Sequence, residues 1–402
     1  MNGFDLSNIT NCYIGSVNID SIYLGSNLIW PSNFEQQYLT FDLLERGQFA
    51  LVGYTQSFNN ASIMYSTDNG ATWTDVMLQS GVTPVFNAGT KVLWKGNLST
   101  LVVGDVAGPD GFFRFDSTDY VSVSGRFKAS GNPASLYFGD NFASVNTVYY
   151  YMYKFLFYDN IKLTSAKYLA LPATTLTPGC YGAMFSGCTS LTEGPALPAT
   201  TLAHSCYQSM FEKCSSLTTA PALPATTLAD LCYNGMFSKC TSLTTAPALP
   251  ATTLTYGCYT DMFSGCTSLT TAPALPATTL TQQCYQGMFN ECRSLTAAPA
   301  LPATTLADSC YYGMFMYCTS LTTAPALPAT TLSQQCYSYM FNRCYSLSNI
   351  ACLATDISAT DCTLNWVEYV ASSGTFTKAA SMNDWTTGTS GIPNNWSIVN
   401  AS

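Results

Sequence analysis

The sequence predicts a mixed β and α/β chain: β structure at the front, then a solenoid of 26-residue units closed by a C-terminal cap. Three observations predict it. Leu-Pro-Ala-Thr-Thr-Leu starts at Leu171, Leu197, Leu223, Leu249, Leu275, Leu301 and Leu327, always 26 residues apart, and a fixed period of that size is the mark of a repeat architecture. Each copy runs on through three variable residues, Cys-Tyr, two variable, Met-Phe, two variable, Cys, one variable and Ser-Leu, with no insertion. Ahead of the repeat, residues 34–130 alternate apolar and polar side chains between turn signals such as Asp68-Asn69-Gly70 and Gly108-Pro109-Asp110-Gly111, the pattern of half-buried strands.

Four regions follow. In residues 1–33, Tyr13-Ile14-Gly15-Ser16 and Tyr23-Leu24-Gly25-Ser26 recur ten residues apart and lead into Leu28-Ile29-Trp30-Pro31. These read as short strands with glycine turns, too few to fold alone. Tyr13, Tyr23, Leu24, Leu28, Ile29 and Trp30 make the segment too apolar for a free tail, so it is expected to order on a partner surface as an anchor; the plainer alternative is a hairpin packed on the next domain. Residues 34–145 are expected to form a β-sandwich. Residues 146–352 hold the repeat, and 353–402 the cap, in which a decayed copy begins at Leu353.

Within a unit two periods meet. Cys232, Met236, Phe237 and Cys240 fall at i, i+4, i+5 and i+8, one face of a helix. Leu243, Ala246 and Ala248 follow at strand spacing and are expected to face inward. Pro247 and Pro250 cannot donate ladder hydrogen bonds, so short or polyproline-like extended segments are expected there. One unit cannot bury its apolar face, so stacking supplies the core and the ends need covers. Leu156-Phe157-Tyr158-Asp159-Asn160-Ile161-Lys162-Leu163 mimics the repeat with Asn160 in place of cysteine, and suits the front cover. Asn365-Trp366-Val367-Glu368-Tyr369-Val370 reads as a closing helix, with Trp385, Ile392, Pro393 and Trp396 behind it.

Composition narrows the function. Charged residues make up 9% of the 402-residue chain, against about 25% in ordinary soluble domains. The net charge of −9 and the lack of a basic stripe argue against a nucleic-acid partner. No apolar run approaches the roughly 18 residues of a membrane span. Met1-Asn2-Gly3-Phe4-Asp5-Leu6 lacks the features of a signal peptide, so export by the general secretory route is not expected.

There are seventeen cysteines and a single histidine, His204. With no C-x-x-C pair, zinc is not expected. On a helix, Cys232 and Cys240 would stand about 12 Å apart at 1.5 Å per residue, too far for a bridge. Bridges between neighbouring units remain geometrically open, but reduced thiols acting as small core residues are the expectation. No nucleophile elbow or phosphate loop occurs, so no enzyme and no cofactor are expected. Ser66-x-Asp68-x-Gly70-x-Thr72-Trp73 fits the Asp-box of sialidases, a structural hairpin; one copy without an arginine cluster leaves glycan processing as a remote alternative.

The Met-Phe-x-x-Cys-x-Ser-Leu-Thr unit resembles the BspA-like leucine-rich repeats of bacterial surface proteins and of proteins from phages of gut bacteria. Tyr38-Leu39-Thr40-Phe41, Leu93-Trp94-Lys95-Gly96, Gly125-Arg126-Phe127 and the ending Gly391-Ile392-Pro393-Asn394-Asn395-Trp396 are similar to the β domain and terminus that accompany those repeats. Residues 1–31 resemble the N-terminal attachment segments of virion proteins in crAss-like phages. The resemblance implies a phage virion structural protein, a head or tail fibre or surface decoration, made in the host cytoplasm. It would join other virion proteins through its N-terminus, assemble as a homo-oligomer, and display a leucine-rich-repeat solenoid towards a host-surface glycan or protein. A bacterial cell-surface adhesin is the alternative.

The strand half is nearly identical from copy to copy, whereas variation gathers at Glu212 and Lys213, Ser238 and Lys239, Asn290 and Glu291, Met316 and Tyr317, and Asn342 and Arg343. These are expected on the solvent side of the units, where drift is the plain explanation. Aromatic residues collect in the last units. Tyr312, Tyr317, Tyr339, Arg343 and Tyr345 are therefore the candidate ligand contacts, with Tyr317 and Tyr339 expected to be exposed, since tyrosine and arginine are enriched at binding surfaces.

Overall fold

A computed structural model describes residues 34–53, 62–76, 81–98, 113–116 and 125–401, together with the backbone of four short strands nearer the N-terminus. Those four make two antiparallel pairs: β1 (Cys12–Ile14) with β2 (Val17–Ile19), and β3 (Ile22–Leu24) with β4 (Asn27–Trp30). Tyr13, Tyr23, Leu24, Leu28, Ile29 and Trp30 all stand on these strands. Their side chains, and Gly15, Ser16, Gly25, Ser26 and Pro31, lie outside the described residues.

The front half is built on β5 (Leu39–Leu43), β6 (Ala50–Gly53), β7 (Ile63–Ser66), β8 (Thr74–Val76), β9 (Lys91–Gly96), β10 (Phe113–Asp116) and β11 (Phe127–Gly131). Five of these, joined by β12 (Leu163–Leu169), form one six-stranded sheet in the order β12-β11-β5-β9-β7-β8; β10 and β6 pair separately. The core is aromatic. Phe41 of β5 lies 4.8 Å from Phe115 of β10 and 4.8 Å from Phe127 of β11, ring centre to ring centre, and 5.5 Å from Trp94 of β9. Offset and edge-on ring pairs of this kind add about 0.5–1.5 kcal/mol each beyond area burial. A single turn of helix, α1 (Ser135–Phe138), closes over β9, and the Ser135 hydroxyl donates to the Trp94 carbonyl at 2.8 Å. The facing layers are thus unequal: the β6–β10 pair stands opposite a sheet of six.

β12 comes from the repeat region, yet it pairs in parallel with β11. Bridges at the same place recur from unit to unit, at Ser165–Glu193, Glu193–Thr219, Thr245–Thr271 and Thr323–Asn349. They lead into the parallel trio β13 (Asn349–Cys352), β14 (Thr375–Lys378) and β15 (Ser397–Asn400). A second column of bridges links Thr175, Thr201, Thr227 and Thr253. Pairing stays this sparse because the intervening prolines lack the N–H that a continuous ladder requires. The inward side chains differ from expectation by one place: Leu249 and Ala251 are buried, while Ala248 is exposed and Ala246 half-buried. Extended backbone alternates faces with period two, and Leu249 rather than Ala248 takes the core side.

The other half of each unit is not a helix. The N–H groups of Cys232, Asn234, Met236, Ser238 and Cys240 reach back three residues, to the carbonyls of Ala229, Leu231, Tyr233, Gly235 and Phe237, at 3.0–3.2 Å. The N–H groups between them, at Leu231, Tyr233, Gly235, Phe237 and Lys239, instead donate to Tyr256, Cys258, Thr260, Met262 and Ser264 of the next unit, at 2.6–3.1 Å. Every fourth residue, Leu231, Gly235 and Lys239, has a left-handed φ of 56–61°, as the third position of a type II turn demands. The segment is a chain of overlapping turns, and it carries five backbone bonds to the next unit where the extended half carries few. The closing segment continues the pattern in place of the expected helix, with Asp361, Asn365 and Tyr369 left-handed in turn.

Inside, side chains stack in register. Phe185, Phe211, Phe237, Phe263, Phe289, Phe315 and Phe341 follow one another at 5.4–5.8 Å, within 11° of parallel. The tyrosines from Tyr181 to Tyr337 do the same at 5.7–6.0 Å. Trp366 ends both columns, 6.2 Å from Tyr337 and from Phe341, and Trp385 stacks on it at 5.6 Å.

Candidate functional site

The turn face of the stack carries the variable residues, and backbone geometry dictates where they stand. The left-handed positions line up in three columns, one of which reads Asp159, Gly187, Lys213, Lys239, Gly265, Glu291, Tyr317, Arg343 and Tyr369. A left-handed residue is strained unless it is glycine, and the recurring φ places each such residue at the same point of its unit. Each column therefore presents one side chain per unit at fixed spacing along a ridge.

All five candidate contacts meet one another here, in two groups. Arg343 lies over the Tyr317 ring at 5.2 Å and over the Tyr369 ring at 4.8 Å on the other side. Such cation–π contacts are worth about 0.5–1 kcal/mol at exposed sites. Its Nη1 also donates to the Tyr345 hydroxyl at 3.5 Å, and that bond, ahead of the neighbouring tyrosine rings, raises the guanidinium pKa above its ordinary value. Tyr312 and Tyr339 form a separate pair one column away, 5.5 Å apart. Burial, and secondarily the Tyr339 hydroxyl, raises the Tyr312 pKa.

Exposure differs from expectation. Tyr317 and Tyr339 are half-buried rather than exposed, because each is covered by its stacking partner, while Tyr345 and Tyr369 are the open rings, at 50% and 53%. Tyr369 was hidden in the supposed closing helix; its signal was its place 26 residues after Arg343, in the column of Tyr317. Asn342 is not on the solvent side either. It is buried and donates to Glu368 at 2.9 Å.

The variable positions are not independent of one another. The side chain at one left-handed position folds over the next unit's residue in the same column. A Cβ at Gly287 would collide with Asp261, one at Gly187 with Asp159 and one at Gly257 with Leu231. Elsewhere in the columns large residues follow one another, as at Lys213 and Lys239 or at Glu291, Tyr317, Arg343 and Tyr369.

Elsewhere, Asp68 organises the turn between β7 and β8. It accepts from the Thr72 N–H at 2.9 Å, the Thr72 hydroxyl at 2.6 Å and the Ser66 hydroxyl at 2.7 Å. Bonds from Thr72 and then Ser66 bring its pKa down to about 2. With every carboxylate oxygen so engaged, Asp68 shapes a hairpin. Among the described residues no group of three His, Cys, Asp or Glu could hold a metal ion, and no helix is long and apolar enough to cross a membrane. Compared with protein families, characterised proteins and solved structures, the chain matches none.

Proposed function

We propose that this chain is a non-catalytic binding protein of a phage virion surface, a fibre or decoration that presents a leucine-rich-repeat-like solenoid to the host. The observation that carries the reading is the division of labour within each unit. The interior is constant, from Cys232, Tyr233, Met236 and Phe237 to their equivalents in every copy, all buried, and variation falls at the turn-face positions between them, among them the column that ends in Tyr317, Arg343 and Tyr369. A constant scaffold with a variable face suits recognition. A half-exposed arginine held between two rings suits the hydroxyls or carboxylates of a host glycan or protein loop.

In this reading the N-terminal strands join other virion proteins and the protein assembles as a homo-oligomer. Mass spectrometry of purified particles should find the chain, and particles carrying Tyr317→Ala with Tyr339→Ala should adsorb more weakly to host cells while the protein keeps its melting temperature. Recovery from a bacterial envelope instead of particles would replace the virion by a cell-surface adhesin. Undiminished adsorption would remove the ridge as the contact.

A further inference from the structure

A second feature of the turn face lies at the opposite end of the stack. In the unit between Leu171 and Ser190, Gly182, Ala183 and Ser186 stand where the next unit has Gln208, Ser209 and Glu212 and the last full copy has Ser338, Tyr339 and Asn342. Gly182 and Ser186 are shorter than Gln208 and Glu212 in the following unit. The result is a cleft of about 420 Å³ between the preceding and following units, within the roughly 300–1,000 Å³ of small-ligand sites.

The two walls differ in chemistry. The preceding unit contributes the rings of Tyr151, Phe155 and Tyr158. The following one contributes His204, Gln208 and Glu212, with the Gln208 amide held by a bond to Asn234 at 3.3 Å. Neither nearby lysine makes this an anion site. Lys154 lies on the Tyr151 and Phe155 ring faces at 5.0 and 4.8 Å, and Lys213 pairs with Glu212 at 3.6 Å.

We propose that this cleft binds one hexopyranose residue of a glycan. A pyranose offers an apolar C–H face to an aromatic wall and hydroxyl edges to amide, imidazole and carboxylate groups. A peptide side chain would instead require a deep apolar floor, and this floor is glycine, alanine and serine. The site is distinct from the Tyr317–Arg343–Tyr369 ridge and does not depend on where the protein is displayed.

Saturation-transfer NMR on the full chain with millimolar methyl glycosides of glucose, galactose, mannose and N-acetylglucosamine tests it. At least one should receive saturation. Ala183→Tyr should abolish the effect at unchanged melting temperature, since Tyr339 shows that this column accepts tyrosine with a left-handed φ of 56°. Gln208→Ala, on the opposite wall, should weaken binding severalfold, and Tyr256→Ala, at an exposed ring three units away, should leave it unchanged. No transfer from any of the sugars overturns the proposal, as does equal transfer in Ala183→Tyr. Should Ala183→Tyr not fold, undiminished binding by Gln208→Ala overturns it equally.

Discussion

The second cysteine of each unit has a use beyond filling space. The Cys240 thiol donates to the Phe211 carbonyl of the preceding unit at 3.1 Å, and that oxygen already accepts the Cys214 N–H at 3.0 Å. A buried carbonyl with both lone pairs engaged carries no desolvation penalty, and a thiol is the smallest near-apolar side chain that can supply the second donor. The first unit meets the same need with Asn160, whose Nδ2 donates to the Phe115 carbonyl at 3.0 Å. Burial pushes the thiols up, Cys266 and Cys284 each to about 12, so the neutral form persists well above physiological pH and the reactive thiolate is suppressed. The sixteen described cysteines are buried and unbridged. Native protein at pH 8 should therefore modify slowly with a thiol reagent, whereas denatured, unreduced protein should react at most of its seventeen cysteines. Rapid native labelling would contradict the burial, and fewer than half reacting after denaturation would mean bridges between units. Cysteine as a core residue was legible from its invariance and spacing; its hydrogen bond was not, because the acceptor lies 29 residues away.

At the scale of the element, the sequence pattern misled for a definable reason. Turns that repeat every four residues place Cys232, Met236 and Cys240 on one side, as a helix does, so apolar periodicity alone cannot separate the two. The glycines could have. Gly179 and Gly257, Gly235, Gly287 and Gly313, and Gly187 and Gly265 fall at three unit positions four residues apart, and all are left-handed. Helix interiors disfavour glycine by about 1 kcal/mol, whereas a turn with positive φ selects it. The buried Met-Phe pair, by contrast, was legible, and Phe237 touches a ring on either side at 5.6 and 5.7 Å. Phe237→Ala should cost about 3–5 kcal/mol and speed amide exchange in both neighbouring units. A loss under about 1 kcal/mol in denaturant titration would mean that the column is not a core.

Across the whole molecule the ring contacts run unbroken from Phe41 through Phe115, Phe157 and Phe185 to Trp366 and Trp385. The β front and the repeat region therefore share one core. No boundary at residue 145 was legible as shared, since β12 resembles one more repeat and only its pairing with β11 reveals the join. The turn ladder is also an electrical object. At each step its five linking N–H groups point the same way, from one unit towards the next. Peptide dipoles of about 3.5 D thus add along the stack as they do along a helix, gathering partial positive charge at the C-terminal end and negative charge at the other. Some formal charges complement that field, Lys154, Lys162 and Lys167 by the first units and Asp356, Asp361 and Glu368 by the last, while Asp159 and Glu193 at one end and Arg343 and Lys378 at the other oppose it. Reversing one of them, Asp361→Lys, should lower stability by about 0.3–1 kcal/mol at low ionic strength, and the loss should shrink as salt shortens the Debye length to about 10 Å at 0.1 M. Asp230→Lys, in the third copy, should show no such salt dependence, and equal behaviour of the two would mean that the ladder carries no net field. A protein with 9% charged residues thus holds some of those few charges where the backbone field stabilises them.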